Sequence, residues 1–194
     1  AVLKNGKKYL NTTTNTLKVS SGTLAEYQIM AVDRNGISSF ASEPIAVTGK
    51  QWQQNFEIEE FAPKALYGYK NYRGKGFVEI SKTINRSITV PVDIAVSGTY
   101  SVAFRYANGN GPVNTENKCA IRTLSVDGTF SGTIVLPQRG TNEWSNWGNT
   151  NSVQIKLSKG HHLVTLDFES QNENMNGDTN QAMIDSMSLC YLHP

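Results

Sequence analysis

A chain of 194 residues with a formal net charge of +2 and only 18% charged residues has no basic surplus to hold nucleic acid or an anionic bilayer. No apolar run approaches the roughly 20 residues that a membrane helix needs, so the reading excludes both partners and favours a neutral or weakly charged one. The start, AVLKNGKKYL, has neither an initiator Met nor the apolar centre of a signal peptide, which marks the chain as a piece of something larger.

Residues 1–48 read as short strands and turns. KNGKKYL carries the Asn5-Gly6 pair of a tight hairpin, and two apolar-alternating runs flank the turn Asp33-Arg34-Asn35-Gly36. The string YQIMAVDRNGISSFASEPIAV resembles the last two strands of a fibronectin type III domain. That resemblance implies that Tyr27, Ile29, Ala31 and Ile37 face a core, although only the second half of such a domain is present. Residues 49–54 (GKQWQQ) read as a polar linker, and residues 55–194 as a second unit.

Within that unit apolar and polar residues alternate in SITVPVDIAV, TYSVAFRYA, CAIRTLSVDG, GTIVLP, SVQIKLS, HLVTLDF and MIDSMSLCYL. Turn signals separate the runs at Ser97-Gly98, Asn108-Gly109, Asp127-Gly128 and Lys159-Gly160, and no helical period is sustained. The pattern predicts an all-β chain, a β-sandwich of jelly-roll type with the fibronectin-like strands added at its N-terminus. Residues 109–118 and 170–181, rich in Asn and Gly, read as long loops, either functional or simply exposed. Cys119 and Cys190 each lie in a strand-like run, so they are either one disulfide or two buried thiols.

Three features carry chemistry. In FEIEEF, strand alternation would turn Glu57 and Glu59 to one side, where two carboxylates repel unless a cation lies between them or water surrounds them. WSNW (Trp144 to Trp147) sits in a polar, Gly-containing segment where an aromatic plate can remain open, and a Trp or Tyr plate can stack on the C–H face of a sugar. YGYKNYRGKGF supplies a facing aromatic, Tyr72, and a hydroxyl or carboxylate partner, Arg73. Asn108, Asn110 and Asn180 supply amides for the same rim.

In chain order, FEIEEF, GKGFVEI, TYSVAFRYANG, LPQRGTNEWSNWG and MIDSMSL resemble the carbohydrate-binding modules of the family 6 and family 35 type, non-catalytic β-sandwiches attached to glycan-degrading enzymes. The resemblance implies a structural Ca²⁺ held by Glu57, Glu59 and Asp185, and oxygen-only ligands suit that hard cation. It implies a T-x-x-W-x-x-W pattern at Thr141, Trp144 and Trp147, with Trp144 at the sugar and Trp147 packing. It also exposes a departure: Met183 stands where such modules commonly place a sugar-binding Asn.

No H-E-x-x-H, G-x-S-x-G or phosphate-binding loop is present, His161 and His162 read as exposed turn residues, and no catalytic residue is assigned. The expectation is a secreted, periplasmic or cell-surface accessory module joined to a catalytic domain in the same chain. It binds a polysaccharide or oligosaccharide through Tyr72, Arg73, Asn108, Asn110, Trp144 and Asn180. The alternative is a sandwich that braces a glycoside hydrolase without binding sugar.

Overall fold

The computed structural model describes residues 1–19, 25–42, 44–47, 52–113 and 115–194. Four strands form an N-terminal antiparallel sheet: β1 (Val2–Lys4), β2 (Lys7–Leu10), β3 (Ala25–Ile29) and β4 (Ile45–Val47), in the order β2-β1-β3-β4. The Asn5-Gly6 hairpin forms with both residues at positive φ, 51° and 74°, the geometry that Asn-Gly supplies at little strain. The fibronectin-like inward set does not hold. Tyr27 is half-buried, but Ile29, Ala31 and Ile37 are exposed, because no second sheet covers that face among the described residues. Among the described residues, hydrogen bonds from Gln154 to Glu26 (2.7 Å) and from Ser152 to the Pro44 carbonyl (3.3 Å) tie this sheet to the rest of the chain. Of the expected linker, residues 49–51 lie outside the described residues, while Gln53 and Gln54 open the next strand.

The remaining strands build a sandwich. One face is β7 (Ser87–Ile94), β10 (Ala120–Val126), β11 (Thr129–Leu136) and β15 (Gly160–Asp167), in the order β11-β10-β15-β7. The other centres on β8 (Gly98–Ala107) and the long last strand β16 (Ala182–His193). One edge of β8 carries β13 (Gly148–Asn149) and β14 (Val153–Leu157). The far edge of β16 carries β5 (Gln53–Glu57) and β6 (Val78–Ile80). A two-stranded ribbon, β9 (Asn110–Gly111) with β12 (Gly140–Thr141), closes one end.

The alternation read from the sequence is the physical basis of the packing. In β7 every second residue, Ile88, Val90, Val92 and Ile94, is buried, and they meet Val102, Phe104 and Tyr106 of β8 and Ile184, Met187 and Leu189 of β16 in one core. Pro91 is tolerated because β7 is an edge strand, where its missing N–H removes no ladder bond. Asp127 and Gly128, at φ 51° and 76°, form the two-residue turn between β10 and β11. Cys119 and Cys190 are two free thiols, not a disulfide.

Residues 170–181 are not a loose loop. Arg122 of β10 is fully buried, and its guanidinium donates to the carbonyls of Ile121 (2.7 Å), Ser81 (3.0 Å) and Asn180 (3.2 Å) and to Asn180 Oδ1 (2.5 Å). Burial, with Arg86 nearby, lowers its pKa to about 10, and the Phe168 ring covers it at 5.1 Å. Asn172 adds bonds to the Thr123 backbone and hydroxyl, both 3.2 Å.

Candidate functional site

At the end of the sandwich where β8 finishes and β16 begins, aromatic rings gather over a small cluster of Phe77, Ala107 and Met183 that is separate from the main core. Tyr69 lies parallel to Trp144, with centroids 5.9 Å apart at 12°, and to Tyr67, 5.2 Å apart at 25°. Gly109 makes the approach possible, since a Cβ there would stand 2.7 Å from the indole of Trp144. The result is a stacked platform of three rings, half-buried at Tyr69 and Trp144 and open at Tyr67, which is 46% exposed. Two depressions of the surface lie against the N-terminal sheet instead.

A polar belt borders the platform. Glu79 accepts from the Tyr67 hydroxyl (2.8 Å) and from Gln181 Nε2 (2.6 Å). The Gln181 carbonyl accepts from Asn110 Nδ2 (3.1 Å), which also donates to Asn108 Oδ1 (2.9 Å). The hydrogen bond to Glu79 raises the Tyr67 pKa, because the carboxylate holds the phenolic proton.

Of the residues read from the sequence, Trp144 and Asn110 lie on this platform and its belt. Tyr72 packs on Phe77 at 5.2 Å, beside the stack and not in it, and is 37% exposed. Two asparagines are corrected by burial. Asn108 is fully buried, with Nδ2 donating to the carbonyls of Lys118 (3.2 Å) and Leu136 (3.0 Å). Asn180, 2% exposed, accepts from Ile121 N–H and Arg122 and donates to the Asn172 carbonyl, so its amide serves the fold. Tyr67, Tyr69, Glu79 and Gln181, which complete the platform and its belt, were not among the residues read from the sequence, and the repeated Tyr of YGYKNY was the available signal.

Trp147 packs as expected, donating Nε1–H to the Lys70 carbonyl (2.7 Å) and meeting Phe77 edge-on at 5.5 Å. Met183, 1% exposed, lies beneath the rings, so it supports the platform and presents nothing to a ligand.

The acidic trio is only partly as expected. The strand ends at Glu57, and Ile58–Glu60 form a 3-10 turn, so a turn and not strand alternation brings Glu59 round to Glu57. Both carboxylates close on Gly74, where a Cβ would lie 2.6 Å from Glu57 Oε2 and 3.0 Å from Glu59 Oε1. Glu59 Oε1 accepts from Lys75 N–H (2.8 Å), whereas Glu57 Oε2 and Glu59 Oε2 are buried without a partner. Burial, Glu59 and then Asp185 raise the Glu57 pKa, and the charge of Arg73 opposes them.

Asp185 is fully buried at a bulge, the extra residue between Ile184 and Ser186 where the neighbour of β16 changes from β6 to β5. Its oxygens are taken by the Arg105 guanidinium and by Arg73 N–H (2.9 Å). Arg105 also donates to the Asn71 carbonyl (3.0 Å) and lies 5.3 Å from the Trp147 ring centre. Among the described residues no three His, Cys, Asp or Glu side chains are placed together as metal ligands. Two orphaned carboxylate oxygens therefore fit a cation, while the third expected ligand is held as the ion-pair partner of an arginine.

His162 is not the exposed turn residue expected. Its Nδ1 lies 2.7 Å from Asp127 Oδ2, and its Nε2 lies 2.9 Å from the Ser158 carbonyl and 3.3 Å from Ser158 Oγ. A carbonyl can only accept, so Nε2 carries a proton and cannot act as a base toward Ser158. The hydrogen bond to Asp127, then that to Ser158, raises the His162 pKa above 6.5, and the Leu163 N–H, then His162, lowers that of Asp127 below 3.8. The histidine's contribution to stability is thus complete below about pH 6.5 and is lost as pH rises through its folded value. Asp127's is lost only as pH falls through its depressed one. Stability is expected to decline as pH rises above about 6.5, by no more than the ~1 kcal/mol of a surface pair. His162→Gln should flatten that slope in urea melts, and an unchanged slope would refute the assignment.

The model of the family described as carbohydrate binding module (family 6) matches residues 75–189, more than half of the chain. The chain belongs to carbohydrate-binding module family 6. The module is 31% identical over 121 residues to a cycloisomaltooligosaccharide glucanotransferase of Niallia circulans, covering 62% of this chain and 11% of that protein. It is 29% identical over 101 residues to an isomaltosyltransferase of Sporosarcina globispora, covering 52% and 8%. In fold it is similar to a family 35 carbohydrate-binding module from Cellvibrio japonicus, with a TM-score of 0.52 at 19% identity, covering 71% of this chain and 91% of that one. The chain spans about a tenth of the length of the curated relatives it matches. It is a non-catalytic β-sandwich of a kind carried within glycan-active enzymes. No helix of the described residues is long and apolar enough to cross a membrane.

Proposed function

We propose that this module binds α-1,6-linked gluco-oligosaccharides on the platform of Tyr67, Tyr69 and Trp144 and so holds a secreted glycan-active parent enzyme on its substrate. The observation that carries the reading is the parallel Tyr67–Tyr69–Trp144 stack, held open at one end of a sandwich whose inner strand faces are committed to the core. Stacked rings cover the apolar face of a sugar, and Glu79, Gln181 and Asn110 offer acceptors and donors at the rim. The class of glycan is supported by the relatives, whose names specify cycloisomaltooligosaccharide and isomaltosyl transfer. A single weak site becomes useful through tethering, which raises the effective concentration of substrate at the parent's catalytic domain.

The same proposal includes a structural Ca²⁺ held by Glu57 and Glu59, supported by the two buried oxygens that lack partners. When bound, a hard cation neutralises the repulsion that raises the Glu57 pKa. Asp185 acts beside it by fixing Arg105 and the Arg73 backbone.

Isothermal titration of the whole chain, in calcium, with isomalto-oligosaccharides and with xylo-oligosaccharides tests the reading. Binding of the first and not the second is expected. Preference for the xylan series would overturn the glycan class, and no binding across a broad glycan array would leave a bracing role for the sandwich.

A further inference from the structure

Glu79, on β6, is 8% exposed, yet none of the ion pairs among the described residues includes it. Its carboxylate is held by two neutral donors, the Tyr67 hydroxyl on one oxygen and the Gln181 amide on the other. A carboxylate oxygen has two acceptor sites, so each retains one after these bonds. The residue lies where two shallow clefts meet, one lined by Ala65, Leu66 and Tyr67 and the other by Ser81, Lys82 and Gln181. Two cations line those clefts: Lys82 is bound by Glu173 and by the Gly177 carbonyl (2.5 Å), and Lys64 donates to the Lys75 carbonyl. A ligand on the Tyr67 ring therefore meets, at the ring's hydroxyl edge, a negative group with free acceptor capacity and no ion-pair partner among the described residues.

We propose that Glu79 is a specificity-determining residue: it accepts hydroxyl hydrogen bonds from a neutral glycan on the Tyr67–Tyr69–Trp144 platform and excludes glycans that carry a carboxylate. A sugar hydroxyl donates to a carboxylate in a charge-assisted bond, whereas the carboxylate of a uronate offers only acceptors and a like charge. Glu79 also orients Tyr67, because the 2.8 Å hydroxyl bond fixes the exposed ring over Tyr69. The inference rests on the platform being the glycan site.

The test uses isomaltotriose and the same trisaccharide oxidised at its terminal C6 to a glucuronic acid, two probes that differ only in the carboxylate. Titrated into the whole chain at low salt, the neutral sugar should bind about tenfold more tightly, and the ratio should shrink as salt screens the charge. Glu79→Gln should weaken neutral binding several-fold and bring the ratio close to one. Tyr67→Phe, which removes the hydroxyl and leaves the charge, should keep the preference. A wild-type chain that binds both probes equally, or a Glu79→Gln variant that retains the wild-type ratio, would overturn the role of Glu79. A wild-type chain that binds neither would remove the glycan site itself and this inference with it. Should Glu79→Gln fail to fold, the wild-type ratio and its salt dependence still decide.

Discussion

Replacing Trp144 with alanine is expected to weaken glycan binding by about 1–3 kcal/mol, roughly fivefold to more than a hundredfold, in isothermal titration. The indole does two things at once. It contributes its own face and supports Tyr69, which lies parallel to it at 5.9 Å. Folding should be largely retained, since the cluster beneath, Phe77, Ala107 and Met183, is separate from the main core and Trp144 is only half-buried. Tyr72→Ala serves as the comparison, because that ring rests on Phe77 outside the stack and should lower affinity far less. Equal affinity of Trp144→Ala and wild type would remove the platform from the binding site. A variant that does not fold would instead assign the indole to the core.

The sign of the Glu57→Gln effect on stability is expected to reverse with calcium. Without a cation, Glu57 is held beside Glu59 and Asp185 with one oxygen buried and unpaired, and its raised pKa means that the ionised form disfavours the fold. Its contribution is favourable below its ordinary 4.5 and is lost as pH rises through the folded value, so at neutral pH the neutral amide should melt higher in chelator. With calcium about a hundredfold above its dissociation constant, wild type gains roughly 2.7 kcal/mol, and the variant should then melt lower. Identical wild-type melting curves in calcium and chelator would eliminate the cation. Asp185→Ala should be destabilising in both conditions, by about 3 kcal/mol, since it leaves Arg105 without its carboxylate while Asn71 and Trp147 still hold the guanidinium. If Asp185→Ala instead abolished the response to chelator, Asp185 would be a ligand.

The sandwich strands were legible because a sheet buried on one face writes its geometry into every second residue, as in Ile88, Val90, Val92 and Ile94. The Asn5-Gly6 and Asp127-Gly128 turns were legible because positive φ restricts the residues that can occupy them. The site was read less well, for different reasons. Asn108 and Asn180 have the composition of a binding rim, but in irregular segments an amide more often satisfies buried backbone groups, and only the fold reveals which it does. Tyr67 and Tyr72 are alike in sequence, and contacts remote in the chain decide between them: Glu79 holds one over Tyr69, and Phe77 takes the other. Asp185 could be placed on the last strand, but not its direction, because a bulge turns it toward Arg105. The N-terminal alternation implied a covered face, while Ile29 and Ile37 remain open among the described residues.

The Arg122 guanidinium has a consequence for motion. It gathers carbonyls from Ile121, Ser81 and Asn180 around one buried charge, so freeing residues 170–181 would take both Asn180 acceptors from that charge. Local opening of this Asn-rich segment is thereby coupled to loss of the β10 strand itself, and its amides belong to the same cooperative unit as the core. Gln181 and Glu79, which flank this anchor on either side, reach a ligand already ordered, so association there forfeits little conformational entropy.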